Sequence, residues 1–161
     1  MKLRLMALLL VGILCLNGCI SGVPQESGNT ETVSKPLDLP AIYQQMAVKL
    51  PEMTVLNETL QLNLCGIASE DCLQAVVAVC ADGLRVDEVW LLEAKDEEAL
   101  GRLEKLAQSR LQNLAGQTQS YSPEQYAVVQ KAILMKTGKY LVLLTVPNPQ
   151  ELEAIWNGAA H

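Results

Sequence analysis

The spacing of apolar residues changes several times after residue 37, between helical spacing and the short continuous or alternating runs typical of strands. Helical spacing predicts helices over 40–49, 58–64, 97–115, 123–130 and 149–157. The apolar runs predict strands over 73–80, 85–94, 131–136 and 140–146. Asp82-Gly83 and Thr137-Gly138 are turn signals between the strands of each pair, so we expect two hairpins.

The predicted elements follow the order α-α-β-β-α-α-β-β-α. Because two hairpins alternate with helices, this order predicts an α+β fold with a four-stranded, mostly antiparallel sheet packed with helices. The order in which the two hairpins pair stays open. In the second helix, Leu56, Leu60 and Leu64 align and predict its buried face. Predicted N-cap residues precede four of the helices: Asp38, Asn57, Ser122 and Asn148.

The N-terminal segment has the pattern of an export signal. Lys2 and Arg4 precede the apolar run 5–16, which is too short to span a bilayer as a helix. The run ends in Leu16-Asn17-Gly18-Cys19, which resembles a bacterial lipobox. In such a site the thiol of Cys19 receives a diacylglycerol group. An ordinary secretory signal with a chance cysteine is the alternative.

A linker separates this signal from the rest of the chain. Residues 20–37 are poor in large apolar side chains and rich in Gly, Ser, Thr and Pro, which is typical of a flexible tether. We predict a domain on the extracytoplasmic face of the cell membrane, held there through the lipid. The predicted segments are a lipoprotein signal peptide over 1–18, a lipidated flexible tether over 19–37 and a single α+β domain over 38–161.

The charge balance limits the classes of partner and chemistry. The 161 residues include 12 basic and 18 acidic side chains, a net charge of −6. Removing Lys2 and Arg4 with the signal leaves 10 basic residues against 18 acidic ones, a net charge of −8. Such a chain does not favour a nucleic-acid backbone. The single histidine is His161, which removes most histidine catalysis and most metal sites, so we predict no nucleic-acid partner, no metal and no cofactor.

Three short motifs carry a resemblance to a known family. They are Val86-Asp87-Glu88-Val89, Arg110 followed by Tyr121-Ser122-Pro123-Glu124-Gln125, and Gly138-Lys139-Tyr140. In this order, over about 41–156, the chain resembles a family of short bacterial lipoproteins of unknown function, domain-of-unknown-function family 4358. The resemblance implies a location and a fold, and it implies no catalytic activity.

Arg110 stands out because it interrupts an apolar surface. On the helix 97–115 it falls between Leu103 and Leu106, inside the apolar stripe. A guanidinium in that position needs a carboxylate or carbonyl partner, since an unpaired buried charge is very costly. Glu88 is the candidate, because it shares a strand face with apolar residues such as Trp90.

Two further interpretations of Arg110 stay open beside a structural Arg110–Glu88 pair. In one, Arg110 recognises an anion or carboxylate in a cleft, with Tyr121 or Tyr140 nearby. In the other, Arg110 faces solvent at a frayed helix end.

The remaining nucleophiles lack the neighbours that catalysis needs. Cys65, Cys72 and Cys80 have spacings that fit no zinc pattern, and no interior histidine is available to activate a thiol. Free thiols are favoured, partly because the resemblance implies an anaerobic host, and a Cys65–Cys72 bridge is the alternative. The sequence has no Gly-x-Ser-x-Gly elbow and no glycine-rich phosphate loop.

Two hypotheses of different class follow. The first, which the sequence favours, is a lipid-anchored, non-enzymatic binding or interaction module at the cell surface. The second is a surface enzyme that acts through carboxylates and tyrosines, which requires a concave pocket with at least two perturbed carboxylates. A structural component of the envelope is a third possibility.

Overall fold

The computed structural model describes residues 36–160. The predicted signal peptide, Cys19 and most of the predicted tether lie outside the described residues. The helices are α1 (Leu39–Ala47), α2 (Glu58–Cys65), α3 (Glu97–Thr118), α4 (Pro123–Gln130) and α5 (Pro149–Ala160). The strands are β1 (Met53–Val55), β2 (Cys72–Cys80), β3 (Glu88–Ala94), β4 (Ile133–Thr137) and β5 (Tyr140–Thr145), and a single 3-10 turn, Ser69–Asp71, precedes β2.

The strands form one antiparallel sheet in the order β1-β2-β3-β5-β4. The two predicted hairpins are present as β2–β3 and β4–β5, and the α+β class is confirmed. The hairpins join through β3 and β5, with Glu88 opposite Thr145 and Glu93 opposite Tyr140. The sheet therefore places β3 at its centre, between β2 and β5.

The prediction of four strands is wrong by one strand. The fifth, β1, pairs Met53 with Cys80 and Val55 with Ala78 at the outer edge of β2. It was missed because three residues are too few to show a period of two, and because Thr54 and Val55 are exposed at the edge.

Both faces of the sheet are covered by helices. Helices α1 and α5 pack on one face, where Val89 and Leu91 of β3 contribute to the core. Helix α3 packs on the other face, where Trp90 and Leu92 contribute. Every residue of β3 is buried, as expected for a strand enclosed on two sides.

Side-chain caps begin three of the helices where the sequence predicts them, at Asp38, Asn57 and Ser122. The Asp38 carboxylate accepts a hydrogen bond from the Ala41 N–H at 3.0 Å, and the Asn57 side chain accepts one from the Leu60 N–H at 2.9 Å. Helix α2 ends at Gly66, whose φ of 73° lies in the left-handed region.

The buried face of α2 differs from the predicted one. Leu60 and Leu64 are 38% and 52% exposed, whereas Gln61 and Cys65 are buried. Polar contacts hold the other side of the helix inward. The Gln61 amide donates to the Leu56 carbonyl at 2.8 Å, and Cys65 faces a buried carboxylate described below. The apolar spacing alone therefore predicted the wrong side of this short helix.

Several other boundaries differ from the predicted ones, and three of them have a clear local cause. The strand predicted over 85–94 begins at Glu88, because 85–87 belong to the loop. The strand predicted over 131–136 begins at Ile133, because the Lys131 N–H still bonds the Val128 carbonyl of α4. Helix α3 runs past the predicted residue 115 to Thr118, whose hydroxyl donates to the Leu114 carbonyl at 2.8 Å.

An ion pair holds the 3-10 turn against α3. The Arg102 guanidinium donates to the Asp71 carboxylate at 2.6 and 3.2 Å, and the Lys95 ammonium lies 3.8 Å from it. The Arg102 hydrogen bonds are the largest cause of a lowered pKa at Asp71, and they outweigh the effect of its burial. The charged carboxylate is therefore favoured by folding.

We expect this pair to make stability depend on pH in the acid range. Because the folded-state pKa of Asp71 lies below its ordinary value of 3.8, the unfolded chain binds more protons there, and stability falls as pH falls through the folded-state value. Urea unfolding between about pH 5 and pH 2 measures this slope. Asp71→Asn should flatten it, whereas Glu70→Gln, at the exposed neighbouring position, should leave it unchanged. Equal slopes in the parent chain and Asp71→Asn would contradict the assignment.

Candidate functional site

A buried carboxylate at the start of β3 is surrounded by three donors. Glu88 is 1% exposed and faces α3. One of its oxygens accepts from Arg110 Nε at 2.9 Å. The other accepts from Trp90 Nε1 at 2.5 Å and lies 3.7 Å from Cys65 Sγ. We refer to these four residues as the Glu88 cluster.

The apolar stripe of α3 explains how the cluster assembles. Leu103, Ala107 and Leu114 are buried against the sheet, and Arg110 occupies the position between the last two. Its stem is therefore drawn inward, and its side chain is only 26% exposed. An unpaired carboxylate at Glu88 would carry a large desolvation cost, which the Arg110 guanidinium offsets.

The structure brings Glu88 and Arg110 together but separates the two tyrosines from each other. Tyr140 lies on the opposite face of the sheet, where its ring meets Trp156 edge-on at 5.8 Å and its hydroxyl accepts from the Leu37 N–H at 3.1 Å. Tyr121 follows α3 and is 91% exposed. Tyr140 therefore cannot share a cleft with Arg110, and recognition of an anion by Arg110 stays a prediction.

Other buried carboxylates are paired in the same way as Glu88. Glu93 of β3 points to the α1 side, where it is 2.5 Å from Lys139 Nζ and accepts from Gln74 Nε2 at 2.6 Å. Asp87 has a fully buried side chain and is bound by Arg85. Together with Asp71, these are the buried acidic residues of the described chain, and each meets a lysine or arginine.

Arg85 borders two surface clefts and was not singled out from the sequence. Arg85 and Pro147 line both a cleft of about 130 Å³ next to α5 and a cleft of about 300 Å³ next to α4. A third cleft, of about 120 Å³, lies between α2 and β2. Neither Arg110 nor Glu88 lines any of these three. Arg85 stands at the first position of the strand predicted over 85–94, and its only sequence signal is the carboxylate two residues later.

The cysteine thiols of the described chain are free. Burial, followed by the charge of Glu88, raises the pKa of Cys65 to about 12. Burial also raises the pKa of Cys72 to about 11. Both are protonated at neutral pH and are poor nucleophiles. Cys80 also remains unbridged at the end of β2.

Within residues 36–160, no three histidine, cysteine, aspartate or glutamate side chains lie closely enough together to hold a metal ion. No helix in the same range has both the length and the apolar character that crossing a bilayer requires.

We expect the Glu88–Arg110 pair to be energetically coupled. Arg110→Met leaves a buried carboxylate without its cation and should lower the free energy of unfolding by about 3–5 kcal/mol. Adding Glu88→Gln removes the uncompensated charge, so the double variant should lose much less than the sum of the two single changes. Urea unfolding of the four chains measures this difference.

The matched control for this cycle is Lys105→Met, at an exposed position of the same helix, which should change stability by less than about 0.5 kcal/mol. Additive losses in the cycle would show that the pair contributes nothing of its own.

Comparison with known proteins gives a family and no activity. Residues 44–146 match the family model described as domain of unknown function, DUF4358. This range contains β1 to β5 and the Glu88 cluster. No curated protein and no solved structure matches the chain. Since the match spans more than half of the sequence, the chain belongs to the DUF4358 family.

Proposed function

We propose that this protein is a lipid-anchored extracytoplasmic binding module that performs no catalysis. The pairing of the buried carboxylates is the observation that carries the proposal. A carboxylate enzyme needs a group that can accept or release a proton at its substrate. Asp71, Asp87, Glu88 and Glu93 instead direct their oxygens at lysine or arginine side chains of the protein itself.

Burial and ion pairing limit what these carboxylates can do. Glu88 is 1% exposed, its two oxygens are held by Arg110 and Trp90, and it lines none of the three clefts in which a substrate could lie. For Asp87, both oxygens are bound by Arg85. The low reactivity of the Cys65 and Cys72 thiols weakens the case for cysteine chemistry as well.

The anchor part of the proposal rests on the N-terminal sequence. The basic residues, the apolar run 5–16 and the Gly18-Cys19 pair provide a lipidation signal. Two acyl chains, at about 0.8 kcal/mol for each buried CH₂, hold a protein stably at a bilayer without a membrane-spanning helix. The acidic domain itself is repelled by anionic headgroups, so the acyl chains carry the attachment.

We expect Cys19→Ala to release the protein from the membrane. In cells fed an alkyne-tagged fatty acid, the parent chain should take up the label and sediment with membranes, because Cys19 carries the acyl chains. The Cys19→Ala variant should do neither. Cys15→Ala is the matched control and should behave as the parent chain does. A label that persists in Cys19→Ala, or disappears in Cys15→Ala, would contradict this anchor.

We further expect the protein to carry its ligand through purification. Native mass spectrometry of protein extracted from the membranes of its producing cells should detect a small molecule on the folded chain, because a binding module holds its ligand without transforming it. The bound molecule should keep its mass after prolonged incubation with the protein. A bare chain, or a ligand converted to products, would contradict the binding-module function.

A further inference from the structure

Arg85 is held in a fixed orientation at the end of the β2–β3 loop. Its Nε and Nη2 donate to the two oxygens of Asp87, each at 2.9 Å. Asp87 is fully buried, and the Arg85 backbone N–H bonds the Asp82 carbonyl at 3.0 Å. Two parallel bonds to one carboxylate fix the plane of a guanidinium as well as its position. Arg85 is therefore pre-organised before any ligand arrives.

The bonds to Asp87 leave most of the Arg85 donors free for another acceptor. A guanidinium has five N–H donors in a planar fork, and Asp87 uses two of them. The Arg85 side chain is 38% exposed. The three remaining donors lie on Nη1 and Nη2, and Arg85 lines both clefts. This geometry suits the flat, two-oxygen edge of a carboxylate or phosphate.

The larger cleft adds donors and an apolar wall to Arg85. Lys131 contributes an exposed ammonium group from the end of α4. Gln125 uses its amide oxygen to accept from the Val86 N–H at 3.0 Å, which turns its NH₂ group to other partners. Val128 and Pro147 provide apolar surface. The volume, about 300 Å³, is at the small end of the range for ligand sites.

The charges in this cleft differ from those of the chain as a whole. The chain carries a net charge of −6, whereas the cleft lining has two cations, Arg85 and Lys131, against one acidic residue, Glu124. Asp87 balances the charge of Arg85, so the local sum is zero and Arg85 contributes its free donors. In the smaller cleft, Lys49 is paired with Glu151 at 3.0 Å, so the α4 side, with Lys131, is the better place for an anion.

We propose that the cleft between Arg85 and α4 binds the oxyanion head, a carboxylate or a phosphate, of a small organic molecule with a short apolar body. The head meets the free donors of Arg85 and the ammonium of Lys131. The apolar body lies against Val128 and Pro147. This inference rests on the binding-module function and gives that module a site.

Titration of the ¹⁵N-labelled full chain in mild detergent with four probes tests the site. Butyrate, which has both a head and a body, should shift amide signals around Arg85, Gln125 and Val128 in a saturable way. Acetate should bind more weakly, because it lacks the body. Butylamine, which has the body but the opposite charge, should produce no saturable shift. Inorganic phosphate separates the two head groups: tighter binding than acetate assigns the head to a phosphate, and weaker binding to a carboxylate.

Two variants and a control locate the effect. Arg85→Lys keeps a cation beside Asp87 but loses the planar fork, and it should weaken butyrate binding by about tenfold. Lys131→Ala removes the second cation at an exposed position and should also weaken binding. Lys105→Ala removes the same charge from the exposed face of α3 and should leave binding unchanged. Unchanged amide signals far from the cleft verify that each variant folds.

The outcomes separate the site from the function. Four results would each refute ligand binding in this cleft. They are the absence of saturable shifts, butylamine that binds as well as butyrate, acetate that binds as well as butyrate, and butyrate binding that Arg85→Lys does not change. If the butyrate test fails and the Arg85→Lys variant still retains the molecule seen in native mass spectrometry, the protein is a binding module whose site lies elsewhere. Bound butyrate whose own proton signals change over time would keep the site and refute the binding-module function.

Discussion

The central strand of the sheet is buried on both faces, and yet three carboxylates lie on it or directly beside it. Asp87, Glu88 and Glu93 could not remain there unless a cation reached each one, because removal of a charge from water is costly when nothing replaces the water. The cations come from three different places: the loop before β3, helix α3 and the β4–β5 turn. The Glu88–Arg110 pair therefore joins the sheet to helix α3, and the other two pairs join the ends of β3 to a loop and to a hairpin turn.

These pairs also distinguish the two faces of the sheet. Glu88 faces α3 and Glu93 faces the α1 side, so the two charges lie in different cores. Alternation along a strand means that a shift by one residue would exchange the faces and leave both carboxylates without their cations. The apolar residues of β3 would tolerate such a shift far better. The register of β3 is therefore specified by charge as well as by shape.

The sequence contains much of this fold in its local signals and little of it in its long-range pairing. Capping residues and apolar spacing located all five helices, and turn signals located both hairpins. The β3–β5 pairing was left open because no residue pattern in either strand indicates which strand it pairs with. The three residues of β1 were too few to detect, and the short helix α2 was assigned the wrong buried face.

The candidate sites differ in the same way: one could be detected from the local sequence, and the other depends on the tertiary fold. Arg110 could be singled out because a guanidinium inside an apolar stripe conflicts with its surroundings, and such a conflict is visible in one sequence. Arg85 stands at the first position of the strand predicted over 85–94, where an arginine conflicts with nothing. Its position between two clefts depends on Pro147, which only the tertiary fold brings near. The face of Tyr140 likewise depended on a pairing that the sequence left open.

The β3–β5 pairing also sets an order for folding. It joins residue 88 to residue 145, across α3, α4 and β4. Contacts so distant along the chain form late, because the entropy cost of closing a long loop precedes the gain from pairing. During synthesis the β2–β3 hairpin is complete well before β5 exists. Until then the edge of β3 that pairs with β5 stays open, with its apolar side chains uncovered. Under the proposed export, the chain would fold only after it has crossed the membrane, with both hairpins available at once.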